Sequence, residues 1–308
     1  MRSLALIPRP GLVLAWAVLL LAGLMAAPAP AQTVRGSLDP LYLAFFPPVQ
    51  GSGQVRIGLN PAPQAVGRPV VVGFGMPFPP GFITDPAQIS LVDNLEKELP
   101  IRVQVLARWP QGMPGAGSLR AVQIQFEDYL GVALERHYAV RWGQARQLSE
   151  RRTWPARQDW LPVQDGSYPA GAVSEPAVYV TLPPEWLGQC LLKSRVNPGG
   201  ANPAFAWYDQ AMADYFPTAI NQFPHPVEDR HLIPCRDKYE PWLYDRAMAL
   251  FMVYIRQGGL EPLRQAHRAT PYYAGLVGPD RRLGLLDQRR GPDMKYGYPE
   301  CLAVHYRL

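Results

Sequence analysis

Cysteine is scarce in this chain of 308 residues: only Cys190, Cys235 and Cys301 are present. An odd number excludes a framework in which every thiol is bridged within the chain. Cys190 and Cys235 both fall in the turn-rich stretch around the first helical segment, so spacing favours them as a pair. Cys301 lies in a helical pattern that predicts a buried thiol. A nucleophile elbow, a phosphate-binding glycine loop, a dinucleotide fingerprint and a zinc-protease helix are all absent, which removes the enzyme classes built on them. No run after residue 31 is long and apolar enough to cross a bilayer. Charge of one sign is also in short supply. The formal net charge is +5, of which Arg2 and Arg9 belong to the leader, leaving +3 for the remainder. The basic residues are scattered, with no stripe of the kind that tracks a phosphate backbone, so nucleic acid is not the expected partner. A mild positive surplus suits an acidic polymer or simple solubility.

The N-terminus is a leader. Arg2 and Arg9 precede an apolar run from Gly11 to Leu24, and Ala27-Pro28-Ala29-Pro30-Ala31 supplies a small-residue cleavage site before Gln32. This pattern predicts a signal peptide over residues 1–31 and a secreted or periplasmic protein with no stable membrane span after cleavage. The apolar run is short for an uncleaved anchor.

Residues 32–185 read as an all-β domain with its linker. Arg68 to Phe74 is a β-branched run followed by a hard turn, Gly75 to Gly81. Ile89 to Val92 makes a short strand closed by Asp93-Asn94. Ile101, Val103 and Val105 alternate with Arg102 and Gln104; Val122, Ile124 and Phe126 alternate with Gln123 and Gln125. Each such strand has one dry and one wet face. His137 to Trp142 and Val178 to Leu182 add two more. Short strands at this spacing, with no helix between them, predict a barrel or sandwich. The charged and then Pro-, Gly- and Ser-rich segment from 143 to 185 reads as a surface connection.

The string VVVGFGMPFPPG (70–81), the segment IRVQVLARWPQG (101–112) and the strand LRAVQIQF (119–126) resemble the N-terminal RIFT-type barrel of the exo-rhamnogalacturonan lyase-like family. That family shows a G-x-P-x-P-x-G turn, a glutamine in the middle strand and an Arg-Trp-Pro-Asp-Gly-Ser turn. This chain keeps Gln104, Arg108, Trp109, Pro110 and Gly112, has Gln111 in place of the aspartate, and inserts several residues before Ser118. The resemblance covers residues 66–142. By their residue types alone, Arg108 and Trp109 form an aromatic–cation pair at a strand end. Such a pair either stacks on a sugar ring as a substrate-binding element or closes the barrel mouth with the arginine packed on the ring.

Residues 186–308 read as helical hairpins. Phe205, Tyr208, Met212 and Tyr215 recur at helical spacing, with Pro217 as a stop. Pro241 to Gln257 is apolar nearly all round and ends at Gly258-Gly259, the pattern of a buried helix. A more polar helix opens with Glu261-Pro262 and is predicted to end near Thr270, before Pro271. Another buried helix is predicted from about Tyr298. Leu250/Leu302 and Tyr254/Tyr306 both stand 52 positions apart, as one repeating hairpin would place them. A greasy helix paired with a polar one is the unit of an α/α toroid. The expected fold is therefore multidomain, all-β plus all-α: a RIFT-like β-barrel followed by a partial α/α toroid, with the remaining hairpins in a longer polypeptide.

Asp293-Met294-Lys295-Tyr296 and Glu300 through His305-Tyr306 resemble segments that begin an inner helix in the same lyase-like group. A lyase acting on a uronate polymer must neutralise the sugar carboxylate, remove the neighbouring proton and protonate the departing oxygen. Lys295, Tyr296, Tyr298 and His305 are the catalytic candidates, and Arg246, with a guanidinium that matches a carboxylate in a bidentate way, is the substrate-binding candidate beside Arg108 and Trp109. The same residues at a helix entrance are also consistent with plain packing or solvation. His225, Glu228, Asp229 and His231 form a dense polar cluster, but their spacing matches no familiar zinc pattern and no metal is assigned. No cofactor is named by the sequence. The expected partner is a polysaccharide, acidic by preference. Expected functions are a polysaccharide lyase working by β-elimination, a non-catalytic glycan-binding protein, or a glycoside hydrolase on the same scaffold, for which Glu228, Asp229, Asp245 and Glu300 supply carboxylates.

Overall fold

The computed structural model describes residues 51–113, 115–162, 174–193, 196–221, 246–274 and 300–308. In chain order the strands are β1 (Gly53–Pro61), β2 (Pro69–Pro77), β3 (Ile89–Val92), β4 (Glu98–Leu99), β5 (Arg102–Arg108), β6 (Leu119–Tyr129), β7 (Arg136–Trp142), β8 (Trp160–Pro162), β9 (Ser174–Pro176) and β10 (Val178–Thr181). Every strand pair is antiparallel. One sheet runs β10-β1-β7-β3-β4, a second runs β2-β6-β5, and β8 pairs with β9.

Four strands are absent from the sequence expectation: β4, the β8 and β9 pair inside the segment read as a surface connection, and β1, which organises the larger sheet. Val55, Ile57 and Leu59 are buried while Gln54 and Arg56 face water, so the period-two rule applies there as well. β1 lies between β10 and β7, with Leu59 opposite Val180 and Ile57 opposite Tyr138. The inner residues of the two main sheets join one core, in which Phe126 of β6 meets Tyr138 of β7 with ring centroids 5.9 Å apart. Among the described residues no strand pairing joins these two sheets into a closed ring, so the β part is a pair of open antiparallel sheets.

The predicted turn at 75–81 is partly strand, since β2 continues to Pro77. Phe78 and Phe82 then turn inward against Trp142 and Trp186. Phe82 and Trp142 stand 4.8 Å apart, and Trp186 is 5.3 Å from both of them. Trp186 belongs to α1 (Pro184–Leu187), and its indole N–H donates to Pro77 O at 2.9 Å, which pins the start of the helical region to the sheets.

Four longer segments follow: α2 (Ala206–Asn221), α3 (Arg246–Gln257), α4 (Leu260–Ala274) and α5 (Glu300–His305). α2 runs past Pro217 and α4 past Pro271, where the sequence predicts stops. An internal proline removes one ladder bond and favours a break without forcing one. The end of α3 follows the prediction: Gly258 and Gly259 take φ of 74° and 89°, and Gly258 N–H donates to Tyr254 O at 2.7 Å. α3 buries Ala247, Leu250, Phe251, Tyr254 and Ile255 against α1, α4 and α5, and these residues are continuous with the core of the sheets. The described helices do not complete a ring. None of them is long and apolar enough to cross a membrane.

Cys190 is a buried thiol, not half of a bridge. Its S–H lies 3.2 Å from Trp186 O and 3.4 Å from Pro77 O, and burial pushes its pKa far up. The favoured pairing with Cys235 is thereby corrected; Cys235 itself lies outside the described residues. Cys301 is fully buried on α5.

Candidate functional site

Of the sequence-predicted catalytic residues, Lys295, Tyr296 and Tyr298 lie outside the described residues, as does the 225–231 polar cluster. Arg246 is described by its backbone only, as the first residue of α3. His305 is placed at the end of α5, where it meets a residue that sequence reasoning missed.

That residue is His267, on α4. The two Nδ1 atoms are 2.8 Å apart, and the rings meet edge to face with centroids 4.7 Å apart. Phe251 of α3 lies 5.5 Å from the His267 ring and Tyr179 of β10 lies 5.7 Å from it, so aromatic walls stand on two sides. Burial, then the neighbouring His305, drive the His267 pKa well below its ordinary value. Burial lowers His305 to about 4. Both imidazoles are therefore neutral at neutral pH. A bond between two neutral rings through Nδ1 has one chemical consequence: the donor ring keeps an unprotonated Nε2, and the acceptor ring carries its proton on Nε2. The pair thus presents one basic and one protonated nitrogen, the combination that general acid–base chemistry uses.

Also on α4 stand Arg264, one turn before His267 on the same face, and Arg268, one turn after Arg264. Glu175 of β9 accepts two bonds from Arg264, at 2.7 and 3.0 Å, and Arg268 Nε lies 3.7 Å from it. Burial raises the Tyr179 phenol well above its ordinary pKa, and the Glu175 carboxylate adds to the shift. The Glu175 bond raises the Arg264 pKa, while burial lowers that of Arg268. Among the described residues no group of three or more His, Cys, Asp or Glu side chains is placed to hold a metal ion.

Arg108 ends β5 and Trp109 follows it, in a structural arrangement. Trp109 is 2% exposed, its indole N–H donates to Phe78 O at 3.2 Å, and Arg120 lies over the ring at 4.5 Å. Arg108 instead donates to Thr84 O and Gly117 O. The ring thus closes the core beneath a guanidinium, as one of the two sequence readings has it, but the guanidinium is that of Arg120. The residues inserted before Ser118 form a compact loop. Ser118 Oγ accepts from Gly81 N–H at 2.8 Å and donates to Gly115 O at 2.5 Å. A side chain at Gly115, φ 70°, would run into the Gly81 backbone, which is why that position needs glycine.

A second cluster includes Phe205 and Tyr208, legible in the sequence as helical spacing but not as surface, and Trp207, which the spacing does not include. Phe205, Trp207 and Tyr208 are 49%, 68% and 43% exposed at the start of α2. Trp207 and Tyr208 pack edge to face at 5.8 Å. Arg256 lies over Tyr208 at 5.4 Å and is bonded to Asp209 at 2.5 Å. No family model matches this chain, and no curated protein matches it by sequence.

Proposed function

We propose that the protein is an exported, carbohydrate-active protein of the polysaccharide-lyase type, acting on uronate-containing polymers such as rhamnogalacturonan. In this reading the two sheets belong to a RIFT-like barrel module and α3 to α5 are the first hairpins of an α/α toroid. The observation that carries it is the contact between His305 and His267. Elimination needs a base that is neutral at working pH and an acid for the departing oxygen, and the paired imidazoles are supplied in those two states. The basic Nε2 takes the proton beside the sugar carboxylate, the C–H electrons form a carbon–carbon double bond, the C–O bond breaks, and the leaving oxygen takes a proton. Cations near the carboxylate stabilise the charge that develops. Arg246 and Lys295 are the proposed groups for that task, and Tyr296 and Tyr298 further proton-transfer groups.

A second reading, glycan binding without catalysis, draws support from the exposed Phe205, Trp207 and Tyr208, since solvent-facing aromatic rings pack on sugar faces. No described carboxylate pair favours hydrolysis in the same way. One incubation with rhamnogalacturonan and other uronate polymers separates the readings. A lyase generates an unsaturated sugar with new ultraviolet absorbance, and His305→Gln abolishes it. Reducing ends without that absorbance would overturn the lyase reading in favour of hydrolysis, and polymer retention with neither signal would establish binding alone.

A further inference from the structure

The outer face of the β2-β6-β5 sheet carries chemistry that the histidine pair does not use. The antiparallel register sets Gly73, Gln125 and Arg102 in one row across the three strands, and Gly75, Gln123 and Gln104 in the next. Directly opposed residues share a face, so these six positions lie together, with Phe74, Ile124 and Val103 on the other side of the sheet. Arg102 Nη1 donates to Gln125 Oε1 at 2.6 Å and Nη2 donates to Gln104 Oε1 at 3.3 Å. Both partners are neutral amides. The ion pairs among the described residues engage other arginines, so no described carboxylate neutralises this one.

Two amide oxygens therefore hold the guanidinium fork in a fixed orientation. Its Nε–H and the second hydrogen of each Nη have no acceptor among the described residues. Gln104 and Gly73 are exposed and Arg102 and Gln123 are half-buried, so the β5 side of the face is approachable, whereas Gln125 is buried and the Arg307-Leu308 backbone covers the Gly75 end. At the bulged end of β5 stands Tyr306, 57% exposed, with its hydroxyl donating to Leu106 O at 3.4 Å. A pre-oriented guanidinium matches a carboxylate with two parallel bonds. Planar amides both donate and accept, as vicinal hydroxyls require, and an exposed phenol ring offers an apolar face to pyranose C–H groups.

We propose that this face is a binding subsite for an acidic sugar, with the carboxylate on Arg102, hydroxyls on Gln104 and Gln123, and Tyr306 packed along the ring. The sugar's place in a polymer rests on the proposed glycan function; recognition of a carboxylated polyol rests on the face itself.

The test is calorimetric titration of the full chain with a galacturonic acid trimer, and with the same trimer after reduction of its carboxyl groups to neutral alcohols. Wild-type protein is expected to bind the acidic trimer and to lose about tenfold or more in affinity for the neutral one, and Arg102→Gln to lose about as much for the acidic one. Gln104→Ala, at an exposed position, is expected to weaken binding with an unchanged circular dichroism spectrum, which covers the case in which Arg102→Gln fails to fold. Equal affinity for the two trimers, or unchanged affinity in folded Arg102→Gln and in Gln104→Ala, overturns the subsite while leaving a glycan-binding protein. No binding of the acidic trimer by wild type also overturns it, and the ultraviolet turnover assay then decides the glycan reading separately.

Discussion

The hydroxyl of Tyr254 accepts a hydrogen bond from the backbone N–H of Leu182 at 2.7 Å. Tyr254 is wholly buried on α3, and Leu182 directly follows β10, so this bond ties a buried helix to the end of the larger sheet. Tyr254→Phe keeps the ring and strands a buried donor. The expected loss is about 1–3 kcal/mol, seen as a lower denaturant midpoint with an unchanged slope. An unchanged midpoint would mean that the Leu182 N–H finds another acceptor.

The histidine pair makes stability depend on acid. His305 falls from 6.5 to about 4 on folding, and His267 also falls, so the unfolded chain takes up protons first as pH drops. The contribution is complete above about pH 6.5 and is lost progressively as pH falls towards about 4 and below. Replacing both residues with glutamine should narrow the difference between urea midpoints measured at pH 7 and at pH 5. If the difference persists in the double variant, other groups carry the acid sensitivity.

Glu175 links β9 to α4 by holding Arg264 in two bonds and lying near Arg268. Glu175→Gln keeps the shape and removes the charge, leaving a buried guanidinium at Arg268, which is 4% exposed, beside a neutral amide. Arg264 is partly solvated, which discounts its share. A net loss of about 2 kcal/mol is expected, measured by chemical denaturation. A gain in stability would instead show that desolvation of the carboxylate outweighs its pairing.

Trp186 joins Phe78, Phe82 and Trp142 and bonds to Pro77 O. Trp186→Ala opens a cavity at the junction of sheets and helices, with an expected cost of about 3–5 kcal/mol and a lower melting temperature. Trp186→Phe should recover part of the packing but not the bond. Thermal unfolding followed by circular dichroism distinguishes the two, and equal melting temperatures for wild type and the alanine variant would refute the junction's importance.

Much of the strand pattern is legible because burial follows a local period. Val122, Ile124 and Phe126 are fully buried, as their alternation with glutamines predicts, and Gly258-Gly259 ends α3. β1 carries the same alternation in Val55, Ile57 and Leu59, but its flanking glycines and prolines mask the pattern. Pro217 and Pro271 mislead in the other direction: each is a probable break by local chemistry, and each sits inside a helix whose remaining bonds suffice. Of the candidate site, His305 is legible by type, while its partner is not, because His267 stands 38 residues away on another helix.

The sequence by itself determined the order of strands before helices and which face of each strand is dry, because these depend on neighbours a few residues apart. Tertiary structure alone decided that β1 lies between β10 and β7, that Arg120 covers Trp109, that Cys190 stays a thiol, and that two distant imidazoles share a hydrogen bond. Those outcomes depend on which apolar faces pack together across long chain separations, and a local period carries no information about its partner.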